Sequence, residues 1–229
     1  MKLRLLLFLC FLFYPSFLHS HVNHYNNIKL IEMDILRNGK KIGYNNYNFR
    51  SQGDILIVKN EIQFNAKFVG VSLLNIDGFS TETYKDGKLL KFNSSTIQNK
   101  KKKYNDLKFI KSKKKFRIKG SSYNGQAPSD AMIGNWWNHN ILQSKKIISP
   151  LSGSVKFQEV YFLSKEVLKI DENIYNTSRF RIELKKNIND IKREEFYVWL
   201  DDKSKIILKV AYSKLGNWQY VVKNIEKFN

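Results

Sequence analysis

The chain is short of cysteine, proline and acidic residues, and these shortages exclude several classes of protein. A single cysteine among 229 residues cannot build a disulfide framework, and three prolines exclude collagen-like and proline-rich chains. Asp and Glu number 20 against 40 Lys and Arg, for a net charge of +20. Against these shortages, 42% hydrophobic and 14% aromatic residues exclude global disorder and suffice for the core of one domain.

The N-terminal segment predicts a secretory signal, residues 1–20, that is cleaved near Ser20. Lys2 and Arg4 precede the apolar residues 5–13, a run shorter than the roughly 20 residues of a permanent transmembrane helix. A retained N-terminal anchor is the alternative. Because Cys10 lies inside the signal, the mature chain would have no thiol. We therefore expect a periplasmic or otherwise exported protein, in which residues 21–229 form a single domain.

The mature chain is dominated by segments that alternate apolar and polar residues, which is typical of β-strands. About a dozen such segments follow one another with short connections, and Asn38-Gly39 is the strongest hairpin signal among them. Adjacent hairpins form an antiparallel meander, and curvature would limit its exposed edges. The sequence therefore predicts a mainly β fold, a single antiparallel meander curved into a barrel or half-barrel.

One segment departs from the strand pattern and is the most unusual part of the sequence. We predict a short helix or irregular segment near residues 128–142, which contains Trp136, Trp137, Asn138 and His139. Two neighbouring indoles can stack on a ligand at the mouth of a cleft, or they can plug the open end of a barrel. The sequence leaves both possibilities open.

Lysine is concentrated in runs at residues 100–103, 113–115 and 145–146. Such runs fit an anionic partner, such as a lipid headgroup or a phosphorylated glycan, at the surface of the envelope membrane. They also fit solvated turns in a protein from an adenine/thymine-rich genome. Nucleic acid is not expected as a partner, because the chain carries an export signal and no recognisable nucleic-acid-binding motif.

The sequence contains no motif that predicts catalysis, a cofactor or a metal. It has no glycine-rich phosphate loop, no nucleophile elbow and no zinc-ligand spacing. We therefore name no catalytic residue, no metal ligand and no cofactor, and we do not expect an enzyme. Two alternatives remain: copper binding by His21 and His24, and hydrolysis by His139 together with dispersed carboxylates.

Several short blocks resemble those of an uncharacterised proteobacterial family of exported proteins, domain-of-unknown-function family 6134. The blocks are Asn38–Gly43, Phe64–Gly70, Glu82–Leu89, Trp137-Asn138 and Trp199–Asp201. The resemblance extends over residues 28–222. It implies no catalytic residue, because none is established for the family, and its likeness to half-barrel periplasmic carriers of acyl chains is an analogy of fold alone.

One departure from the family pattern concerns a cysteine pair that many members carry. The matching positions in this chain hold Lys88 and Asp130. We expect a salt bridge, or simple proximity of the two side chains, to replace the disulfide.

These observations favour a non-enzymatic exported protein that binds a lipid or another anionic amphiphile inside its curved sheet. The candidate residues for the wall and mouth of the pocket are Phe64, Phe68, Phe92, Trp136, Trp137 and Trp199. The main alternative is an envelope scaffold or interaction protein whose barrel is filled by its own side chains. The sequence does not predict the oligomeric state.

Overall fold

The computed structural model describes residues 23–68, 70–187, 189–191 and 193–228. The predicted signal and His21 lie outside these residues, and the side chains of His24 and Phe68 are likewise not described. Within the described chain, no helix is long and apolar enough to cross a membrane.

A single sheet of 15 strands makes up nearly all of the described chain. The strands are β1 Ile28–Arg37, β2 Lys40–Gln52, β3 Ile55–Phe68, β4 Val71–Lys85, β5 Lys88–Gln98, β6 Lys101–Ile110, β7 Lys115–Gly120, β8 Asn124–Pro128, β9 Met132–Ile133, β10 Lys146–Ile148, β11 Val155–Ile170, β12 Asn173–Lys185, β13 Arg193–Asp201, β14 Ile207–Ser213 and β15 Asn217–Lys227. Short 3₁₀ helices occupy Asn23–Asn27, Lys111–Lys113 and His139–Gln143.

The order of strands is that of a meander whose first and last strands pair in the middle of the sheet. The order runs from β8 through β7 down to β1, then from β15 down to β9. Every neighbouring pair is antiparallel except β9 and β10, which are parallel. The predicted mainly antiparallel meander is therefore confirmed.

The two edges of the sheet, β8 and β9, are separated in the chain by residues 129–131 alone. Four residue steps reach at most about 14 Å, so the sheet must curl until its edges approach each other. Within the described residues β8 and β9 share no ladder, and the barrel remains open. Pro128 lies in the edge strand β8, where its missing N–H is tolerated.

The alternation of side chains along each strand separates the core from the surface. In β7, Phe116 and Ile118 are buried, whereas Lys115, Arg117 and Lys119 are exposed. Because side chains alternate with a period of two, each strand contributes one row to the interior of the curl. The hydrophobic core therefore lies on the concave face of the sheet.

Two glycines show how the sequence controls the strands. Asn38 and Gly39 have φ values of 50° and 77°, the paired positive values of a type I′ hairpin turn. Gly78, by contrast, does not end a strand, because β4 continues through it. A Cβ at Gly78 would lie 2.6 Å from Oγ1 of Thr96, so glycine permits the close approach of β4 and β5.

The segment between β8 and β11 folds back onto the concave face. The side chain of Asn105, on β6, donates to the carbonyl of Ser149 at 3.1 Å, and Ser94, on β5, donates to the carbonyl of Pro150. The helix predicted near residues 128–142 is one 3₁₀ turn, His139–Gln143. Asn138 caps it, accepting a hydrogen bond from the backbone N–H of Asn140 at 3.0 Å.

Candidate ligand-binding cleft

A buried carboxylate attaches the irregular segment to the sheet. Glu82, on β4, is 1% exposed, and its oxygens accept hydrogen bonds from Asn135 Nδ2 at 2.6 Å, Trp137 Nε1 at 2.7 Å and the Tyr84 hydroxyl at 2.5 Å. All three donors are neutral. Burial raises the pKa of Glu82, and the three hydrogen bonds oppose that rise. The Glu82 carboxylate therefore orients the segment through hydrogen bonds from neutral groups rather than through an ion pair.

The indole of Trp137 completes a packed aromatic core. Its ring meets those of Tyr25, Phe49 and Tyr84 edge to face, at centroid separations of 4.9, 5.4 and 5.6 Å. The Tyr25 hydroxyl lies 3.1 Å from Nδ1 of His139 and accepts a hydrogen bond from its backbone N–H. This half of the interior is filled, and His139 takes part in its packing.

The other half of the interior opens into a cleft of about 900 Å³, within the range of small-molecule pockets. It lies where β4, β13 and β15 begin and where β14 ends. The lining residues are Leu73, Leu74, Trp136, Arg193, Glu194, Glu195, Phe196, Tyr197, Tyr212, Ser213, Lys214, Leu215, Trp218 and Tyr220.

A continuous row of aromatic rings forms one wall of the cleft. Trp136 contacts Phe196 at a centroid separation of 5.5 Å, and Phe196 contacts Tyr212 at 5.2 Å. Tyr212 stacks on Trp218 at 5.7 Å, and Trp218 meets Phe64 at 5.6 Å. Trp136, Phe196 and Tyr212 remain partly exposed, whereas Trp218 and Phe64 are buried behind them. The wall therefore offers ring faces to an apolar ligand and is supported from behind.

The charged residues beside the cleft are paired. Glu194 lies 2.5 Å from the ammonium of Lys156 and 3.4 Å from that of Lys214. Burial raises the pKa of Glu194, but the two lysines outweigh it and leave the pKa lowered. Arg193 bonds to Glu195 at 2.9 Å. The lining thus has no excess of either charge, and apolar contact is its dominant chemistry.

A smaller cavity of about 100 Å³ adjoins the cleft, since Trp136 and Tyr220 line both. Its polar lining includes Asn45, Asn60 and Ser80. The Ser80 hydroxyl oxygen is buried and has no hydrogen-bond partner among the described residues. The space behind Trp136 is therefore polar and suited to water or to a small polar group.

The six candidate residues from the sequence do not form one surface. Trp136 lines the cleft, and Phe64 supports it from behind Trp218. Phe92 is 0% exposed and Trp137 is 1% exposed, so both belong to the packed core. Phe68 lies in β3, and its side chain is outside the described residues.

Trp199 lies on the opposite, convex face of the sheet. Its neighbours in β13, Val198 and Leu200, belong to the core, so alternation turns the indole outward. The Arg179 guanidinium and the Lys209 ammonium each lie 4.9 Å from its ring centroid, as in cation–π contacts. Trp199 therefore packs beneath cations and cannot line the cleft.

Sequence reasoning missed three residues of the aromatic wall: Phe196, Tyr212 and Trp218. Each lies on the concave side of its strand, and the only sequence signal for them is the alternation within β13, β14 and β15. That signal assigns a face, but it does not separate residues beside an opening from residues in a filled core.

Elsewhere in the described chain, no group of three His, Asp or Glu residues is placed to hold a metal ion.

The fold and the cleft define a class: a barrel-like, open antiparallel β-sheet protein whose interior is partly filled by its own chain. The chain belongs to the family "Domain of unknown function (DUF6134)", whose model matches residues 33–223. The resemblance stated from the sequence is thus confirmed. No curated protein matches the chain.

The chain is also similar to a solved structure, the beta-barrel-like protein of domain of unknown function DUF1849 from Brucella abortus. The TM-score is 0.61 at 9% identity, and the match covers 88% of this chain and 100% of that chain. At this identity the likeness concerns the fold alone. It supports the barrel-like architecture.

The two positions matching the family's cysteine pair are both on the surface. Lys88 begins β5, Asp130 lies in the connection between β8 and β9, and both side chains are exposed. The ion pairs of the described residues do not include one between them, so the expected salt bridge is not formed.

Proposed function

We propose that this protein binds an apolar or amphiphilic molecule, such as a lipid, in the cleft bounded by Trp136, Phe196 and Tyr212. The observation that carries the proposal is an open cleft of about 900 Å³ beside partly exposed aromatic rings. Burying an acyl chain there would contribute roughly 0.8 kcal/mol per methylene.

The headgroup of such a ligand would remain near the rim. Lys214 is 68% exposed and only 3.4 Å from Glu194, so its ammonium can turn from that carboxylate towards an anionic headgroup at small cost. Because the other rim charges are paired, this contact adds selectivity, and tail burial supplies most of the affinity. Cleavage near Ser20 would put the mature protein in the periplasm, where it would meet lipids of the envelope.

A scaffold function is the second candidate, and the filled half of the interior favours it. The segment held by Glu82 and Trp137 occupies space that a carrier with a fully open barrel would leave to its ligand. Under this alternative the cleft is a surface depression that binds nothing apolar.

Native mass spectrometry of the full chain, expressed with its own N-terminal segment and purified without detergent, separates the two candidates. The binding proposal predicts added masses that solvent extraction identifies as lipid, and it predicts their loss in Phe196→Ala. Tyr161→Ala is the matched control, because Tyr161 lies on the convex face over Arg181. A clean polypeptide mass that stays unchanged after incubation with lipid vesicles would reject the proposal.

A further inference from the structure

The turns of the sheet lie at two ends, which differ in composition. We call the end that opens the cleft the mouth end; its turns connect β1–β2, β3–β4, β5–β6, β7–β8, β10–β11, β12–β13 and β14–β15. We call the other the far end; its turns connect β2–β3, β4–β5, β6–β7, β11–β12 and β13–β14. The alternation of turns in a meander makes this division unambiguous.

Three large apolar side chains are exposed at the mouth end, two in its turns and one at the first residue of β4. Val71 is 71% exposed, Leu215 is 71% exposed and Ile191 is 98% exposed. Each is next to the cleft in the chain: Leu215 lines it, Val71 is two residues before Leu73, and Ile191 is two residues before Arg193.

One guanidinium fixes two of these turns beside each other. Arg37 donates from Nη1 to the carbonyl of Lys67, at the end of β3, at 2.9 Å. It also donates from Nε to the carbonyl of Leu215 at 3.2 Å. The β3–β4 and β14–β15 connections are therefore held together at the opening, where Val71 and Leu215 each expose an apolar side chain.

The charge of the turns differs between the two ends. In the described turns of the mouth end the charged residues are Lys100, Lys186, Lys214 and Asp190. The far-end turns carry Asp54, Asp86, Asp171, Glu172 and Asp202 together with Lys111, Lys113, Lys114, Lys203 and Lys205. The mouth end is thus cationic, and the lysine run at residues 100–103 extends its charge into β6, whereas the far end is balanced.

We propose that the mouth end docks on an anionic lipid bilayer, an inference that rests on the proposed function of the cleft. Exposed apolar residues among lysines are the combination that binds the headgroup region of a membrane. Val71, Ile191 and Leu215 enter the interface, the lysines meet anionic headgroups, and the cleft opens directly onto the bilayer. An acyl chain then passes between membrane and cleft without crossing water.

Co-sedimentation with phosphatidylcholine vesicles, prepared with and without phosphatidylglycerol, tests the docking surface. The mouth variant combines Val71→Thr, Ile191→Ser and Leu215→Asn; the last change suits the φ of 53° at that position, which Asn tolerates. The matched control is Val167→Thr with Ile174→Thr, residues that are 66% and 71% exposed towards the far end. We expect the wild type to bind the anionic vesicles, the mouth variant to bind about tenfold less, and the control to bind as the wild type does.

Equal binding by the mouth variant and the wild type, or equal loss in mouth variant and control, would overturn the docking proposal. Equal binding to vesicles with and without phosphatidylglycerol would also overturn it. So would release of the vesicle-bound protein by an added acidic protein but not by salt. A free fluorescent fatty acid tests the cleft separately, with Val71→Thr and Ile191→Ser combined but Leu215, which lines the cleft, left unchanged. This double variant should bind the fatty acid as the wild type does. Fatty-acid binding without vesicle binding rejects docking alone, whereas mouth-dependent vesicle binding without fatty-acid binding rejects the proposed ligand alone.

Discussion

Trp136 and Trp137 are neighbours in the chain, but they belong to opposite halves of the interior. Trp137 is 1% exposed, packs against three aromatic rings and donates to Glu82. Trp136 remains partly exposed and forms one end of the aromatic wall. One indole is fixed by a polar partner and complete packing, whereas the other keeps a ring face in the cleft. The difference distinguishes residues that build this fold from residues that are available to a ligand.

The largest expected effect comes from removing the indole of the filled half. Trp137→Ala should destabilise the protein by about 3–5 kcal/mol, because it opens a cavity and leaves Glu82 with one donor fewer. Trp136→Ala should cost much less, since its ring is already partly in solvent. Urea denaturation of both variants measures the difference, and equal losses would contradict the contrast between the two indoles.

The second effect is a dependence of stability on pH that Glu82 causes. Burial raises the pKa of Glu82 above its ordinary value of 4.5, so above pH 4.5 the native state keeps a proton that the unfolded state has lost. This contribution to the free energy of unfolding therefore falls as pH rises from 4.5 to the folded-state pKa, by up to about 1.4 kcal/mol per pH unit.

Glu82→Gln isolates that contribution. The Gln carbonyl can accept from Asn135 and Trp137, while its amide donates to the Tyr84 oxygen. The stability of this variant relative to the wild type should therefore increase with pH above 4.5. Urea unfolding at a series of pH values tests this, and parallel stability curves for the two proteins would show that Glu82 keeps its ordinary pKa.

The third effect concerns the open half and should appear in ligand affinity. Phe196 lies between Trp136 and Tyr212, at centroid separations of 5.5 and 5.2 Å. Phe196→Ala removes the middle of the wall and should weaken fatty-acid binding about tenfold, the equivalent of roughly 1.4 kcal/mol. A fluorescent fatty-acid titration gives the ratio of dissociation constants. An affinity equal to that of Tyr161→Ala would place the ligand elsewhere.

The smallest effect is expected at the cap of the 3₁₀ turn. Asn138→Ala removes the acceptor for the backbone N–H of Asn140 and should cost about 1 kcal/mol. Asn138→Asp keeps an acceptor and should cost less. Thermal unfolding of both variants tests the role of the cap, and a larger loss for Asp than for Ala would refute it.

The fold could be predicted from local patterns because most of its information is local. The positive φ values at Asn38 and Gly39 follow from residue type, and the alternation of β7 follows from the pleat. The continuity of β4 through Gly78 could not be predicted in this way, since it depends on the approach of Thr96 from the next strand. Only the paired strand, β5, shows that Gly78 leaves space for Thr96 and does not form a turn.

The candidate site could be predicted only in part, for a related reason. The sequence singles out Trp136 and Trp137 equally, and the partner that separates them, Glu82, is 55 residues from Trp137. A glutamate in an alternating strand ordinarily faces solvent, so nothing local indicates that this one is buried. Phe196 and Tyr212 were missed for the same reason. Whether a residue of the concave face borders an opening depends on how much of that face the segment between β8 and β11 covers.

Quenching of tryptophan fluorescence by a brominated fatty acid tests the central claim, that the cleft beside Trp136 binds an apolar chain. The protein has four tryptophans, and only Trp136 and Trp218 line the cleft in the described structure. We predict saturable quenching that becomes smaller in Trp136→Phe and proportionally larger in Trp199→Phe, because Trp199 emits from the convex face. An absence of quenching would contradict the account. So would quenching that is unchanged in Trp136→Phe but reduced in Trp199→Phe.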